Sequence, residues 1–156
     1  WCQQHDEVTL RPAEGRAYEL PSFCGTTETV TLIEILMEQE NPSERIILAV
    51  DAAVRWLENH KIEGKDIERY VDENGRPDLR LVEKAGAQPL WARFYDLLHG
   101  EPMFCGRDGI PQKDVSDIEY ERRMGYSWFG RDPARVIKAF ADWEAAVLDS
   151  YMMYDE

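Results

Sequence analysis

The stretch "EQENPSERIILAVDAAVRWLENH" at 38–60 constrains the chain more than any other. Its Asn-Pro pair separates two runs of helical periodicity, so the backbone must reverse there between two helices. Ahead of it, Leu32, Ile33, Leu36 and Met37 recur at helical spacing with glutamates opposite, which predicts a helix over 27–39. After it, Asn41 reads as an N-cap, Pro42 as the first helical residue and Glu44 as the closing residue of a capping-box-like arrangement. The helix so opened should run to about 60, burying Ile46, Ile47, Val50, Ala53, Val54 and Leu57. The expectation is two antiparallel helices joined by a short turn.

Residues 1–26 have no regular period, and Pro12, Gly15, Pro21 and Gly25 mark them as loop. Between 62 and 108 the runs "IERYVD", "LRLVEK", "LWARFYDL" and "PMFCGRD" are short and β-prone. Asn74–Gly75 and the 99–102 segment supply turns, which predicts two small hairpins. Helical signals return at Ser116, which could cap a helix with Glu119 and end near Gly125. Asp132–Pro133 opens a last helix whose apolar face is Val136, Ile137, Phe140, Trp143, Ala146, Val147 and Tyr151. The fold expected from these patterns is mainly α with small β-hairpin segments, and there is no internal repeat.

At 156 residues the chain is the length of about one domain, on a prior of roughly 150 residues each. No apolar run approaches the ~20 residues of a membrane span. With 31 acidic and 18 basic residues its net charge is −13, which argues against a nucleic-acid partner. Trp1 stands first with no leader-like pattern, so the chain is expected to be a fragment or a mature piece. Cys2, Cys24 and Cys105 are too few for a disulfide scaffold; buried thiols or one bridged pair both fit. His5, His60 and His99 lack metal-ligand spacing and read as structural or exposed.

Against that acidity, "PLWARFYDLLHGEPMFCGRD" sets Arg93 and Arg107 among aromatic residues. As one strand, "LWARFYDL" would put Trp91, Arg93 and Tyr95 on one face. A guanidinium between two rings offers a bidentate fork for a carboxylate, and sugar C–H faces pack on rings, so a sugar acid suits it. Arg107 lies in a glycine-flanked turn where backbone can approach a ligand closely. The other reading makes Trp91 and Tyr95 core residues, with each arginine capping a helix or pairing with Asp96 or Asp108.

Five segments in order, "WCQQHD", "TLRPAEGRAYELPS", "PLWARFYDL", "PMFCGRDG" and "YERRMGYSWFG", resemble those of the pectate lyases of polysaccharide lyase family 10. Residues 62–88 resemble the family least. The resemblance implies that 1–156 is the C-terminal part of a catalytic domain, a partial (α/α) toroid of helices with a smaller domain. It implies cleavage of polygalacturonate by β-elimination: a base removes the C5 proton, the C4–O bond breaks, and a 4,5-unsaturated sugar remains. The family's catalytic arginine precedes an aromatic–Glu–x–Pro–Ser run, which implies Arg16 in "GRAYELPS" as the base. Arg93 and Arg107 match arginines that bind uronate carboxylates, and Tyr126 falls in another matching segment as a substrate contact.

Calcium is the implied cofactor, with ligands expected upstream of this chain; no acidic residue here, Asp6, Glu14 and Asp108 included, is promoted to replace them. The implied partners are pectate oligosaccharide and the N-terminal half of the same domain, in a secreted or periplasmic enzyme. Cation pressure from calcium and neighbouring arginines would lower the Arg16 pKa and give an alkaline rate optimum. Arg16 could instead be a surface ion pair with Glu14 or Glu19. Two rival readings stand beside the lyase: a non-catalytic binding module for acidic polysaccharide, and a structural helical domain without a ligand.

Overall fold

The computed structural model describes residues 1–16 and 18–153, with side chains described to 150. Three long helices form one layer: α1 (Thr27–Met37), α2 (Glu44–Asn59) and α4 (Pro133–Met153). Their shared core is Val30 and Ile33 of α1, Val50, Val54 and Leu57 of α2 and Val136 of α4. Ile46, Ile47 and Ala53 of the stripe expected of α2 are only half-buried, and Leu32 of the α1 run is exposed. Trp143 ties α4 to α1 by donating Nε1–H to the Met37 carbonyl at 3.0 Å. Ala146 of the expected α4 face is exposed, and the side chain of Tyr151 lies outside the described residues.

The turn between α1 and α2 is built differently from the expectation. Asn41 has φ +53°, the left-handed region that Asn tolerates, and Ser43 is the N-cap residue of α2. The Ile46 and Ile47 amides donate to the Ser43 carbonyl at 2.8 and 3.0 Å. Asn41 thus reverses the chain, and the helix starts two residues later.

The rest of the chain pairs as short antiparallel ladders. Those are β1 (Phe23–Cys24) with β5 (Phe94–Tyr95), β2 (Lys65–Val71) with β3 (Pro77–Glu83), β4 (Trp91–Ala92) with β8 (Phe129–Gly130), and β6 (Phe104–Cys105) with β7 (Pro111–Gln112). The β2–β3 hairpin turns at Asn74–Gly75 as expected, with the Asp72 carboxylate accepting the Asn74 and Arg76 amides at 2.9 and 2.8 Å. At 36% helix and 21% strand the protein is neither mainly α nor a toroid of helices. The reason is local: apolar runs between 62 and 130 are too short and too punctuated for helices, so their backbone groups pair across strands. The helix expected after Ser116 is likewise a 3₁₀ turn (Val115–Asp117) followed by the short α3 (Tyr120–Met124). The Asp114 carboxylate, rather than Ser116, caps that turn by accepting the Ser116 amide at 2.8 Å.

"LWARFYDL" is two strands, because the chain bends at Arg93. β4 and β5 therefore pair with different partners, and Trp91, Arg93 and Tyr95 do not share one open face. Trp91 and Tyr95 are core residues, each 1% exposed. Trp91 donates to the Leu57 carbonyl and Tyr95 to the His60 carbonyl, both at 2.8 Å. A second core joins Cys24, Phe94, Tyr95, Phe104, Val115 and Trp128, and Trp56 packs against both cores. Cys2, Cys24 and Cys105 are free, buried thiols; burial pushes Cys24 up to about 12.

One buried ion pair docks α3 on the hairpin. Arg123 donates through Nε and Nη2 to the two oxygens of Asp78, each at 2.7 Å, and Asp78 is 5% exposed. The Arg123 guanidinium holds the Asp78 carboxyl below the usual carboxylate range. Its contribution to stability is thus full above the unfolded-state pKa of about 3.9 and is lost as pH falls through the lower folded value. Asp78→Asn strands a buried cation and should lower unfolding free energy by roughly 3–5 kcal/mol, read as a fall in the urea midpoint.

Candidate active site

Two backbone bonds close a turn at Arg16: the Gly15 amide donates to the Glu19 carbonyl at 3.1 Å and the Glu19 amide to the Arg16 carbonyl at 2.7 Å. The turn sets Arg16 and Glu19 side by side, with Nη2 donating to Oε1 at 2.5 Å. Glu19 is buried while the Arg16 side chain is 66% exposed. Of the two carboxylates expected as structural partners for Arg16, Glu19 is the one in contact.

Arg93 occupies the bend between β4 and β5. Its amide donates to the Trp128 carbonyl at 2.7 Å, and its carbonyl accepts from Gly25 at 2.9 Å. A Cβ at Gly25 would strike the Tyr95 ring and the Ala92 carbonyl, so only glycine allows this approach. The Arg93 guanidinium reaches Glu28, at the start of α1, with Nε and Nη2 donating to Oε1 at 3.1 and 2.5 Å. Glu28 is therefore not on a solvated helix face.

Arg107 follows β6. Its amide donates to Glu119 Oε1 at 2.6 Å, and a Cβ at the preceding Gly106 would collide with the Glu119 carboxylate. Its guanidinium makes a bidentate pair with Glu121, at 2.7 and 2.9 Å. Neither Asp96 nor Asp108 is the partner of either arginine.

The three arginines and Tyr126 belong to one cluster built on two rings. The guanidinium carbons of Arg16, Arg107 and Arg122 lie 5.4, 5.2 and 4.8 Å from the Tyr18 ring centre. Those of Arg93 and Arg122 lie 4.5 and 4.1 Å from that of Tyr126. Such distances fall within the ~6 Å reach of a cation–π contact. Arg122, which sequence reasoning missed, links the two rings. It is 7% exposed, donates Nε–H to the Cys105 carbonyl at 3.4 Å, and its Nη2 has no hydrogen-bond partner. The signal available was the "RR" doublet in "YERRMGY", whose two arginines have opposite fates: Arg123 takes Asp78, and Arg122 takes rings.

Electrostatically the cluster is a set of cations held by counter-ions. Hydrogen bonding to Glu19 raises the Arg16 pKa, and bonding to Glu121 raises that of Arg107. Arg16, with Arg122 and Arg93 farther off, pulls Glu19 below the ordinary carboxylate range. The neighbouring arginines alone do not lower the Arg16 pKa, because the Glu19 carboxylate touches it. Oxygen Oε2 of Glu28 is buried without a partner, which leaves this carboxylate half-satisfied.

Among the described residues no group of three or more His, Cys, Asp or Glu side chains is placed to hold a metal ion. Asp6 is used in accepting the Val8 and Thr9 amides, and Asp108 in accepting the Ile110 amide. His60 stacks on Trp56 at 4.2 Å, and His99 lies exposed beside Asp96.

A family model described as pectic acid lyase matches residues 1–137. This chain belongs to the pectic acid lyase family. Two solved structures of the family 10 polysaccharide lyase from Cellvibrio cellulosa resemble it. One, a mutant in complex with trigalacturonic acid, is 35% identical with a TM-score of 0.75 over 91% of this chain and 42% of its own. The other is 34% identical with a TM-score of 0.77 over 92% and 43%. The chain thus spans less than half the length of these neighbours. No curated protein matches it.

The two outer ion pairs of this family member should differ in worth. Arg107–Glu121 is exposed, with side chains 54% and 65% accessible, so Glu121→Gln should leave stability nearly unchanged. Arg93–Glu28 is three-quarters covered, and Glu28→Gln should cost about 1.5–3 kcal/mol, as for a hydrogen bond to a charged group. Thermal melts of the two variants test the order.

Proposed function

We propose that this chain forms the arginine wall of a pectate-lyase cleft that cleaves polygalacturonate by β-elimination. The observation that carries the reading is the convergence of Arg16, Arg93 and Arg107 on the Tyr18–Tyr126 pair through Arg122. Family membership and the trigalacturonic acid in one neighbour support the substrate class.

In this reading Arg93 and Arg107 bind uronate carboxylates. Glu28 and Glu121 take the Nε–Nη2 edge of each guanidinium, so substrate would engage the remaining N–H groups, beside which Arg107 also has Tyr18. Tyr126 enters as a substrate-side residue whose ring carries Arg93. Arg16 in its neutral form removes the C5 proton; the electron pair becomes the C4–C5 double bond, and the C4 oxygen leaves and is protonated. In this reading the guanidinium groups stabilise the charge that builds on the uronate carboxylate.

The calcium that the resemblance implies is assigned ligands in the further length of the family's catalytic domain, because the acidic residues described here do not form a site for it. No step is routed through it. That further length is also the proposed partner, and an apolar groove of about 590 Å³ beside Trp1, Phe23 and Trp56 offers it a surface. Among the described residues no helix is long and apolar enough to cross a membrane. A polymeric substrate places the enzyme outside the cytoplasm, secreted or periplasmic.

One observation favours the binding-module reading instead: Glu19 holds Arg16 as a cation, the form unable to accept a proton. The two readings part in one assay. The protein assayed is this chain joined to the further length of the family's catalytic domain, since the 156 residues alone, without the calcium ligands, are not expected to turn over. It is incubated with polygalacturonate and calcium, and ultraviolet absorbance of the unsaturated product is followed. The lyase reading expects turnover that Arg16→Ala abolishes while binding persists. Trigalacturonate binding without turnover selects the module. Arg93→Ala should weaken binding by about 1–3 kcal/mol in either case.

The pH profile gives a second check. A raised Arg16 pKa moves the rising limb of activity to higher pH. Glu19→Gln removes the cause, so the limb should shift to lower pH. An unmoved limb would count against Arg16 as the base.

A further inference from the structure

An open groove of about 280 Å³ runs between the β2–β3 hairpin and the 125–129 segment. Ile67 and Leu79 line it from the hairpin, and Tyr126 and Trp128 from the opposite wall. Arg69 and Ser127 also line it, and both are exposed. The register pairs Arg69 with Leu79 and Ile67 with Leu81, so Arg69 stands on the apolar face of the hairpin.

Charges on the other face are matched: Glu68 with Arg80 at 2.6 Å and Asp66 with Lys84 at 2.7 Å. Arg69 has no hydrogen bond or ion pair among the described residues, in a chain of net charge −13 whose lysines and arginines are mostly paired. An unneutralised guanidinium on an apolar face, beside a free hydroxyl and over a groove, is suited to a carboxylate carried on a sugar ring. The groove adjoins the arginine cluster through Tyr126, the ring that Arg93 and Arg122 already contact. Its volume is near the lower end of the ~300–1,000 Å³ of small-ligand sites, which suits one sugar unit and not a chain of several.

We propose that this groove is an outlying subsite for one uronate unit of the polymer, with Arg69 binding its carboxylate and Ser127 Oγ bonding a ring hydroxyl. The inference rests on the polygalacturonate reading of the cluster. A polymer with a carboxylate on every unit reaches a second cation whenever its chain is long enough to extend past the first.

The test is calorimetric titration of the 156-residue chain with trigalacturonate and with hexagalacturonate. Arg69 is exposed and unpaired, so Arg69→Gln should leave the melting temperature unchanged. The variant should bind hexagalacturonate about tenfold more weakly while holding trigalacturonate within about twofold. Arg69→Lys, which keeps the charge without the fork, should recover part of the loss. In the wild type, hexagalacturonate should shift the amide resonances of Arg69 and Ser127. Arg93→Ala should weaken both ligands, marking the main cluster. A wild type that binds both ligands, with Arg69→Gln unchanged on the hexamer, overturns the subsite and leaves the lyase reading intact. A wild type that binds neither overturns both.

Discussion

The stacking of guanidinium groups on Tyr18 and Tyr126 is the contact on which the site depends. Tyr18 comes from the irregular N-terminal segment and Tyr126 from the turn after α3, so no helix or strand brings them together. Arg122 does, with its guanidinium carbon 4.8 Å from one ring centre and 4.1 Å from the other. Each such contact contributes only about 0.5–2 kcal/mol, and a buried cation with an unpartnered Nη2 gives much of that back. Stability alone does not account for Arg122. What it secures is orientation: a planar cation on two rings fixes their tilt, and the rings in turn support the arginines at the surface.

Those surface arginines need counter-ions in an acidic chain, and the fold supplies one glutamate for each: Glu19, Glu28 and Glu121. A glutamate placed on the Nε–Nη2 edge keeps a fork extended without covering all of it. The same contact has opposite consequences for different tasks. For a carboxylate-binding arginine it preorganises the fork. For an arginine that must give up its proton it is an obstacle, because it stabilises the charged form. The net charge of −13 is compatible with both, since exposed charges farther than about 10 Å are largely screened at ~0.1 M salt.

Periodicity made the helical layer legible. α1, α2 and α4 each carry an apolar stripe whose spacing survives any tertiary detail, and Asn74–Gly75 marked the hairpin. What periodicity could not carry was pairing at a distance. β1 meets β5 and β4 meets β8 across long stretches of chain, and each ladder is two residues long. Nothing within "LWARFYDL" announces the bend at Arg93, which arises because its two halves are claimed by different partners. The toroid expected from the resemblance fails for a related reason: these residues supply three long helices and fill the remaining volume with strands. At the site, Arg16, Arg93, Arg107 and Tyr126 were legible only through resemblance. Glu121 and Arg122 lay inside the resembling segment "YERRMGYSWFG" with no role assigned to them, and Glu28 carried no signal, since a glutamate on a helix face is ordinarily solvated.

The helical layer and the cluster are mechanically one object. Trp56 of α2 packs against both cores and touches Phe23 and Tyr95 ring to ring, at 5.7 and 5.1 Å. Tyr95 in turn presses on Gly25, which fixes the Arg93 carbonyl, while Glu28 one turn on in the chain fixes the Arg93 guanidinium. Main chain and side chain of one arginine are thus both set by the start of α1. A helix held by its neighbours on one side and by an ion pair on the other transmits little motion. That rigidity is what a wall of guanidinium groups requires, because a carboxylate bound through two aligned hydrogen bonds loses much of its attraction once the fork is free to turn.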